Sequence, residues 1–361
     1  MELPGSQVLQ GSVDAPTLSR ETTAYLDAAA FVRGFIEAGA VRTALDLRLV
    51  DLLAARGTLA VEQLQPATGA DAQGMRFLLD LLAANRVVVV RNGAVSLHPS
   101  FAAALEYRPL LEALIDHAFA MVGDFATLFT AAVADPQRFM RQARIFKLFD
   151  YGRCFESTHE NLQNTAAWMR LTTALTRHEA GVCLALRDFG AHRRMLDVGG
   201  NSGEFVLQLC RRHPQLRAVV ADLPVVCELG LEHVLGEPEA PRIAFLPMDA
   251  RAGDLPRGFD LISFKSMLHD WPADDARRFL SRAVAALEPG GTLLVFERGP
   301  LESGGAVPAF SLLPLLMFFR SYRSPSLYVK TLRELGMTDI RCTHLQLDSP
   351  FFLLTARKPA P

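Results

Sequence analysis

Met195-Leu-Asp-Val-Gly-Gly-Asn-Ser-Gly203 is the stretch whose reading decides the fold. A short apolar run ends at Asp197-Val198, a glycine turn follows, and a helix is predicted to start near Glu204. Gly199, Asn201 and Gly203 hold the three positions of a Gly-x-Gly-x-Gly turn, with Asn in the middle. Glycine lets backbone approach a ligand closely, and the first N–H groups of a helix point at it. A strand-to-helix turn also needs small residues on steric grounds alone, so this turn gains meaning only from its surroundings.

Downstream, apolar runs and amphipathic stretches alternate. Strands are predicted at 194–198, 217–222, 242–248, 259–264 and 292–297, and helices at 203–212, 224–235, 273–287 and 326–335. This alternation predicts an α/β class fold with a parallel sheet covered by helices on both faces. Asp339–Leu347 and Phe351–Arg357 read as two strands joined by Asp348-Ser-Pro350. They form a closing hairpin that adds an antiparallel strand.

Upstream, the grammar is helical. From Glu21 to about Arg56, Phe31, Phe35, Val41, Leu45, Leu49 and Leu52 recur at helical steps. Val61–Leu64 reads as a short helix, and Asp71 caps another running to Ala84. Asn92-Gly93 between two apolar runs predicts a β-hairpin over Val87–Leu97. Helices followed by a hairpin suggest a winged-helix module. Its recognition-helix candidate, 71–84, has Arg76 as its only cation and a wide apolar face of Met75, Leu78, Leu79, Leu81 and Leu82. Reading DNA takes cations for phosphates and polar side chains for base edges. The helix is therefore expected to be buried, for packing or dimerisation. Residues 101–185 are again helical and rich in large apolar side chains, with a break at Asp135-Pro136.

The 361 residues are 50% hydrophobic and 21% charged, which suits two globular domains. A net charge of -2 advertises neither nucleic acid nor an anionic membrane. The longest apolar run, Leu312–Phe319, is broken by Pro314 and is far short of the roughly 20 residues of a membrane span. Met1–Ser19 lacks the basic start and apolar block of a signal peptide, and five scattered cysteines read as free thiols in a reducing cytoplasm.

Several polar residues fall where the predicted strands end. Asp222 suits a ribose diol, although it could also cap the helix opened by Pro224. Asp249 suits an adenine amino group, or caps a turn. His269 sits in Phe264-Lys-Ser-Met-Leu-His-Asp-Trp-Pro272 on the loop into the next helix, with Glu297 ending the following strand. A Glu beside a His orients the imidazole and raises its basicity. No other histidine stands at metal-ligand spacing to it, so no metal is expected.

Taken together these segments resemble the plant and bacterial small-molecule O-methyltransferases that use S-adenosylmethionine, across nearly the whole chain. Asp197–Gly203 is similar to that family's glycine motif, and Lys265–Trp271 to its longer and more specific Lys-x-x-x-His-Asp-Trp. The resemblance implies a Rossmann-like methyltransferase sheet with a C-terminal antiparallel hairpin, preceded by a winged-helix dimerisation domain. It divides the chain into a loose tail (1–20), the dimerisation domain (21–105), a helical linker and pocket roof (106–185) and the methyltransferase domain (186–361). It also implies a cytoplasmic homodimer acting on a small aromatic acceptor, with no nucleic acid or membrane partner. His269 becomes the catalytic base and Glu297 its support. Cofactor contacts are implied at Asp197, Gly199, Gly200, Asn201, Gly203, Asp222, Leu223, Met248, Asp249, Ala250, Phe264, Lys265 and Thr173. Substrate contacts are implied at Met169, Trp168, Met267, His269, Asp270, Met317 and Arg320.

Two positions depart from the family pattern. Asn201 replaces the middle glycine, and Asn tolerates left-handed backbone angles. Pro325 stands where the family's second supporting glutamate would fall. That loss brings in an alternative, C-methylation of a ring ortho to a phenol. N-methylation, a nucleotide-dependent oxidoreductase and a winged-helix regulator are further rivals, and the oxidoreductase leaves the Lys265–Trp271 motif unexplained. Arg320 and Arg323 read as solvated surface arginines; the sharper alternative sets one against a carboxylate on the acceptor.

Overall fold

The computed structural model describes residues 34–301, 321–347 and 349–360. The N-terminal tail, Phe31, Met317 and Arg320 lie outside the described residues. The chain forms two compact units, Met1–Glu106 and Tyr107–Pro361.

In the first unit, the helical pattern read from Glu21 to about Arg56 is described from residue 34 onward as two helices, α1 (Gly34–Asp46) and α2 (Leu49–Arg56). The break falls at Arg48, whose φ of 56° is left-handed and interrupts the helical ladder. Next come β1 (Leu59–Ala60), α3 (Val61–Thr68), α4 (Ala72–Ala84), β2 (Val88–Arg91), β3 (Ala94–Leu97) and α5 (Pro99–Ala104). The three strands pair antiparallel in the order β1-β3-β2. Asn92 and Gly93 both have positive φ, 50° and 72°, the type I′ turn that matches the twist of a hairpin. The Asp71 carboxylate caps α4 by accepting from the N–H groups of Gln73 and Gly74. α4 buries Met75, Leu78, Leu79 and Leu82, but Phe77 is 65% exposed. The helix expected to be buried is thus amphipathic: its spacing sinks one face and leaves Arg76 and Phe77 on the other.

The second unit opens with α6 (Arg108–Ala134), α7 (Pro136–Gln142), α8 (Ile145–Leu148), a 3₁₀ turn (Tyr151–Phe155) and α9 (His159–Leu186). From Tyr107 onward, the segment expected to be a linker compacts with the sheet into one unit. One helical stretch, Pro99–Ala134, does reach the length and mean hydropathy (1.4) of a membrane span, which counting uninterrupted apolar runs missed. It carries the buried polar residues His117 and Asp124, and Asp124 accepts a hydrogen bond from the Ile145 N–H at 2.9 Å.

Then follow β4 (Arg194–Val198), α10 (Glu204–Arg212), β5 (Arg217–Asp222), α11 (Pro224–Leu235), β6 (Ile243–Pro247) and β7 (Phe259–Lys265). The unit closes with α12 (Ala273–Ala286), β8 (Leu287–Arg298), α13 (Pro325–Glu334), β9 (Thr338–Gln346) and β10 (Pro350–Arg357). The sheet runs β6-β5-β4-β7-β8-β10-β9, parallel through β8, with β10 and β9 antiparallel. Side chains alternate across it. Ile262, Phe264, Val295 and Phe352 pack with Phe279 and Tyr328 on one face; Leu261, Phe296 and Phe351 pack with Met195, Phe205 and Leu209 on the other. Strand order reverses between β4 and β7, and ligands of open α/β sheets bind in the crevice at such a point.

Candidate active site

A cavity opens at that crevice. Its sheet-edge wall is formed by the turn after β4, Ala221–Leu223, Met248–Arg251 and Lys265–Trp271 without Leu268. The glycine turn is shaped by close approach. At Gly199 (φ 68°) an added Cβ would stand 2.4 Å from Met267 Cγ. At Gly200 it would stand 2.7 Å from Asp197 Oδ2. Asn201 takes φ 55°, accepts the Ser202 N–H on its own Oδ1, and donates from Nδ2 to Thr172 at 3.2 Å. Its backbone N–H donates to Asp222 Oδ2 at 2.8 Å, while Leu223 N–H donates to Asp222 Oδ1 at 2.7 Å. Asp222 is therefore held beside the turn with lone pairs to spare. Burial pushes its pKa up to about 6, against those two N–H groups. Asp197 is more confined. Its Oδ1 accepts from Ser263 Oγ at 2.5 Å, its Oδ2 is buried without a partner, and burial pushes it up to about 7. Ser266, at φ 49°, also leaves a buried hydroxyl unpaired in the wall.

His269 lies in a 3₁₀ turn (Leu268–Asp270) after β7, between Asp270 of that turn and Glu297 of β8. Its Nδ1 donates to Glu297 Oε1 at 2.7 Å, and its Nε2 lies 3.2 Å from Asp270 Oδ1. Glu297 is fully buried behind the ring and is fixed by the N–H groups of Leu268 and Arg298. Asp270 accepts from Tyr151 Oη at 2.9 Å, and Tyr322 packs edge-on to the imidazole at 5.1 Å. Burial alone would lower the His269 pKa, but Glu297 and Asp270 outweigh it and hold it above the ordinary value. Burial would likewise raise Glu297, and His269 with the backbone donors holds it low.

The opposite wall comes from helices. On α9, Trp168, Leu171, Thr172, Leu175, Thr176 and Glu179 form one stripe at helical spacing. His117, Phe149 and Tyr151 complete it. Sequence reading passed over most of these, because a periodic apolar stripe looks the same facing a core or a cavity. Glu179, buried between Lys265 and Arg298, accepts from Arg298 Nη2 at 2.9 Å and ion-pairs with Lys265, whose Nζ also donates to Thr176 at 2.7 Å.

Several expected site residues stand elsewhere. Met169 is one residue off the α9 stripe and packs with Cys154, Val225 and Val226 outside the wall. Phe264 is wholly buried in the core, because alternation along β7 gives Lys265 to the cavity instead. Thr173 donates to Ser202 Oγ at 2.8 Å, while its neighbours Thr172 and Thr176 face the cavity. Gly203 (φ 75°) forms the N-cap of α10 rather than the wall. Asp249 lines the cavity, but its carboxylate is clamped by Arg251 at 2.8–3.2 Å. Arg251 in turn lies 4.8 Å over the Trp271 ring. Arg323 is half-buried and engaged within the chain: its guanidinium donates to the carbonyls of Leu268 (2.9 Å) and Trp271, bracing the His269 loop. Pro325 is the first residue of α13, where a missing N–H is no loss.

An O-methyltransferase domain model matches residues 130–334, and an O-methyltransferase dimerisation domain model matches residues 30–103. The 3-hydroxy-5-methyl-1-naphthoate 3-O-methyltransferase of Streptomyces sahachiroi is 32% identical over 59% of this chain, which spans 57% of that relative's length. Among solved structures, mitomycin 7-O-methyltransferase MmcR superposes with a TM-score of 0.70 at 25% identity, covering 93% of this chain and 98% of that one. Human N-acetylserotonin methyltransferase in complex with SAM superposes at 0.66 and 20% identity, covering 97% of this chain and 100% of that one, a likeness of fold. With a domain model covering more than half of it and the strand-edge motifs in place, the chain belongs to the O-methyltransferase family.

Proposed function

We propose that this protein transfers the methyl of S-adenosylmethionine to a phenolic hydroxyl of a small aromatic acceptor, with His269 as general base. The observation that carries it is the buried Glu297–His269 pair at 2.7 Å, opening on the same cavity as the glycine turn. The wall fits S-adenosylmethionine: Gly199 and Gly200 let the turn pack close against Met267 and Asp197, and Asp222 suits the ribose hydroxyls. The unpaired Asp197 Oδ2 suits the ammonium of the methionine moiety. When bound, S-adenosylmethionine supplies an activated methyl on its sulfonium.

The chain's own residues do the rest. Holding the acceptor oxygen in line with that methyl, away from water, is worth roughly 7–11 kcal/mol. A phenol with pKa about 10 is largely protonated at neutral pH, so a base helps. Glu297 ties up Nδ1, which leaves Nε2 to take the phenolic proton. Asp270 stands at that nitrogen and gives His269 a second carboxylate despite Pro325. The reason for considering C-methylation thereby weakens, and the matching family models favour transfer to oxygen. The matched dimerisation model supports a homodimer. The test is to incubate the protein with S-adenosylmethionine and a hydroxynaphthalene panel and to locate the methyl by product NMR. An O–CH₃ signal is expected; a C–CH₃ product, or failure to bind S-adenosylhomocysteine, would defeat the reading.

A further inference from the structure

Among the polar side chains that line the cavity and take no part in the proposed methyl transfer, one histidine stands apart. His117, on α6, is only 4% exposed, and its Nε2 has no hydrogen-bond partner. A buried, unpaired nitrogen is costly, and such groups ask for an explanation. Its surroundings define what it can do. The Ala113 carbonyl, one helical turn back, faces the ring and favours a proton on Nδ1, which leaves the Nε2 lone pair as an acceptor. The charged groups beside it, Asp116 and Arg170, are paired with each other. Burial, the largest influence, pushes the pKa down to about 4, so the ring is neutral at physiological pH.

A ladder of rings connects this nitrogen to the base. His117 packs against Phe149 at 6.2 Å, Phe149 against Trp168 at 6.0 Å, and Trp168 against Tyr151 at 5.8 Å. Tyr151 then bonds Asp270, next to His269. Such a belt suits a flat aromatic body with a polar group at each end.

We propose that His117 is a specificity-determining hydrogen-bond acceptor, and that the methyl acceptor is a flat aromatic whose second hydroxyl or N–H, remote from the methylated oxygen, donates to His117 Nε2. This rests on the methyltransferase reading and narrows its substrate class: a donor is selected at that end, and an ether or carbonyl is not.

The test titrates the protein, saturated with S-adenosylhomocysteine, with 2,6-, 2,7- and 1,5-dihydroxynaphthalene and with the monomethyl ether of each, by calorimetry. At least one diol is expected to bind about tenfold or more tightly than its ether, the scale set by leaving one buried acceptor unpaired. His117→Phe is expected to abolish that ratio. His117→Gln, which keeps an acceptor oxygen, is expected to retain most of it. The ratio is also expected to hold from pH 6 to 8, since a ring with a depressed pKa does not titrate there. Equal affinity for every diol and its ether in the wild type, or a ratio that survives His117→Phe, overturns the proposal. Failure to bind S-adenosylhomocysteine defeats the methyltransferase reading instead, and the diol comparison is then made without it.

Discussion

On the sheet-edge wall, Asp197, Asp222 and Lys265 each stand at or next to the last residue of a strand, with Glu297 buried behind them next to the end of β8; on the helical wall, His117, Trp168, Thr172 and Thr176 project from α6 and α9. In the first group Asp197 and Lys265 are held by side chains, Ser263 for one and Thr176 with Glu179 for the other, and the remaining two carboxylates are fixed by backbone. Asp222 is held by two N–H groups, and Glu297 by two more. The second group is fixed by ring contacts and by hydroxyl bonds to the helix itself, such as Thr172 Oγ1 donating to the Met169 carbonyl at 3.1 Å. A wall pinned by backbone suits one invariant partner. A wall of packed rings can be recut for different acceptors while the sheet edge stays unchanged. The two walls should therefore fail separately when mutated.

The largest effect is expected from Phe264→Ala, beneath the sheet edge. Removing a wholly buried Phe costs about 3–5 kcal/mol of stability. Denaturant unfolding should show that loss while S-adenosylhomocysteine affinity, measured below the transition, stays within threefold. A specific loss of affinity without loss of stability would return Phe264 to the site.

Asp222→Ala comes next. It removes a charged acceptor of two backbone hydrogen bonds and, on the proposed reading, of the ribose hydroxyls, an effect of about 1.5–3 kcal/mol. Calorimetry should find S-adenosylhomocysteine bound 10–100-fold more weakly, with naphthol affinity nearly unchanged. Trp168→Ala should reverse that pattern, weakening naphthols about tenfold and leaving S-adenosylhomocysteine alone. If either variant weakens both ligands equally, the division between the walls collapses.

A smaller effect sharpens the contrast at the point where the walls meet. His269 must be neutral to take a proton, and its pKa is raised, so turnover should climb as pH rises through a value above the ordinary imidazole range. Asp270→Asn removes one of the two carboxylates that raise it. The acid limb of the pH–rate profile should then move to lower pH; an unmoved limb would separate Asp270 from the base.

The two walls also differ in how far they could be read from residues alone. Asp197–Gly203 and Lys265–Trp271 are contiguous, and contiguity carries their geometry with it. The closing hairpin and the parallel order followed from short-range patterns for the same reason. Phe264 and Met169 were misplaced by one step, since one residue along a strand or helix changes the face. The Arg323 brace on the His269 loop joins groups far apart in the chain, and the His117 nitrogen is hidden in an apolar helix. Asp270 as a neighbour of the base was legible only as part of a motif. Its other oxygen is bonded by Tyr151, which comes from an element 119 residues away.

The central claim is that His269 moves the proton while the rest of the sheet edge holds the methyl donor. It is tested most directly by comparing His269→Ala with the wild type in two measurements on the same preparation: calorimetric binding of S-adenosylhomocysteine, and methyl transfer to a hydroxynaphthalene under single-turnover conditions. General-base catalysis contributes about 10²–10⁴-fold, so the rate should fall by that factor while binding stays within about threefold. A variant that transfers methyl at the wild-type rate would contradict the account.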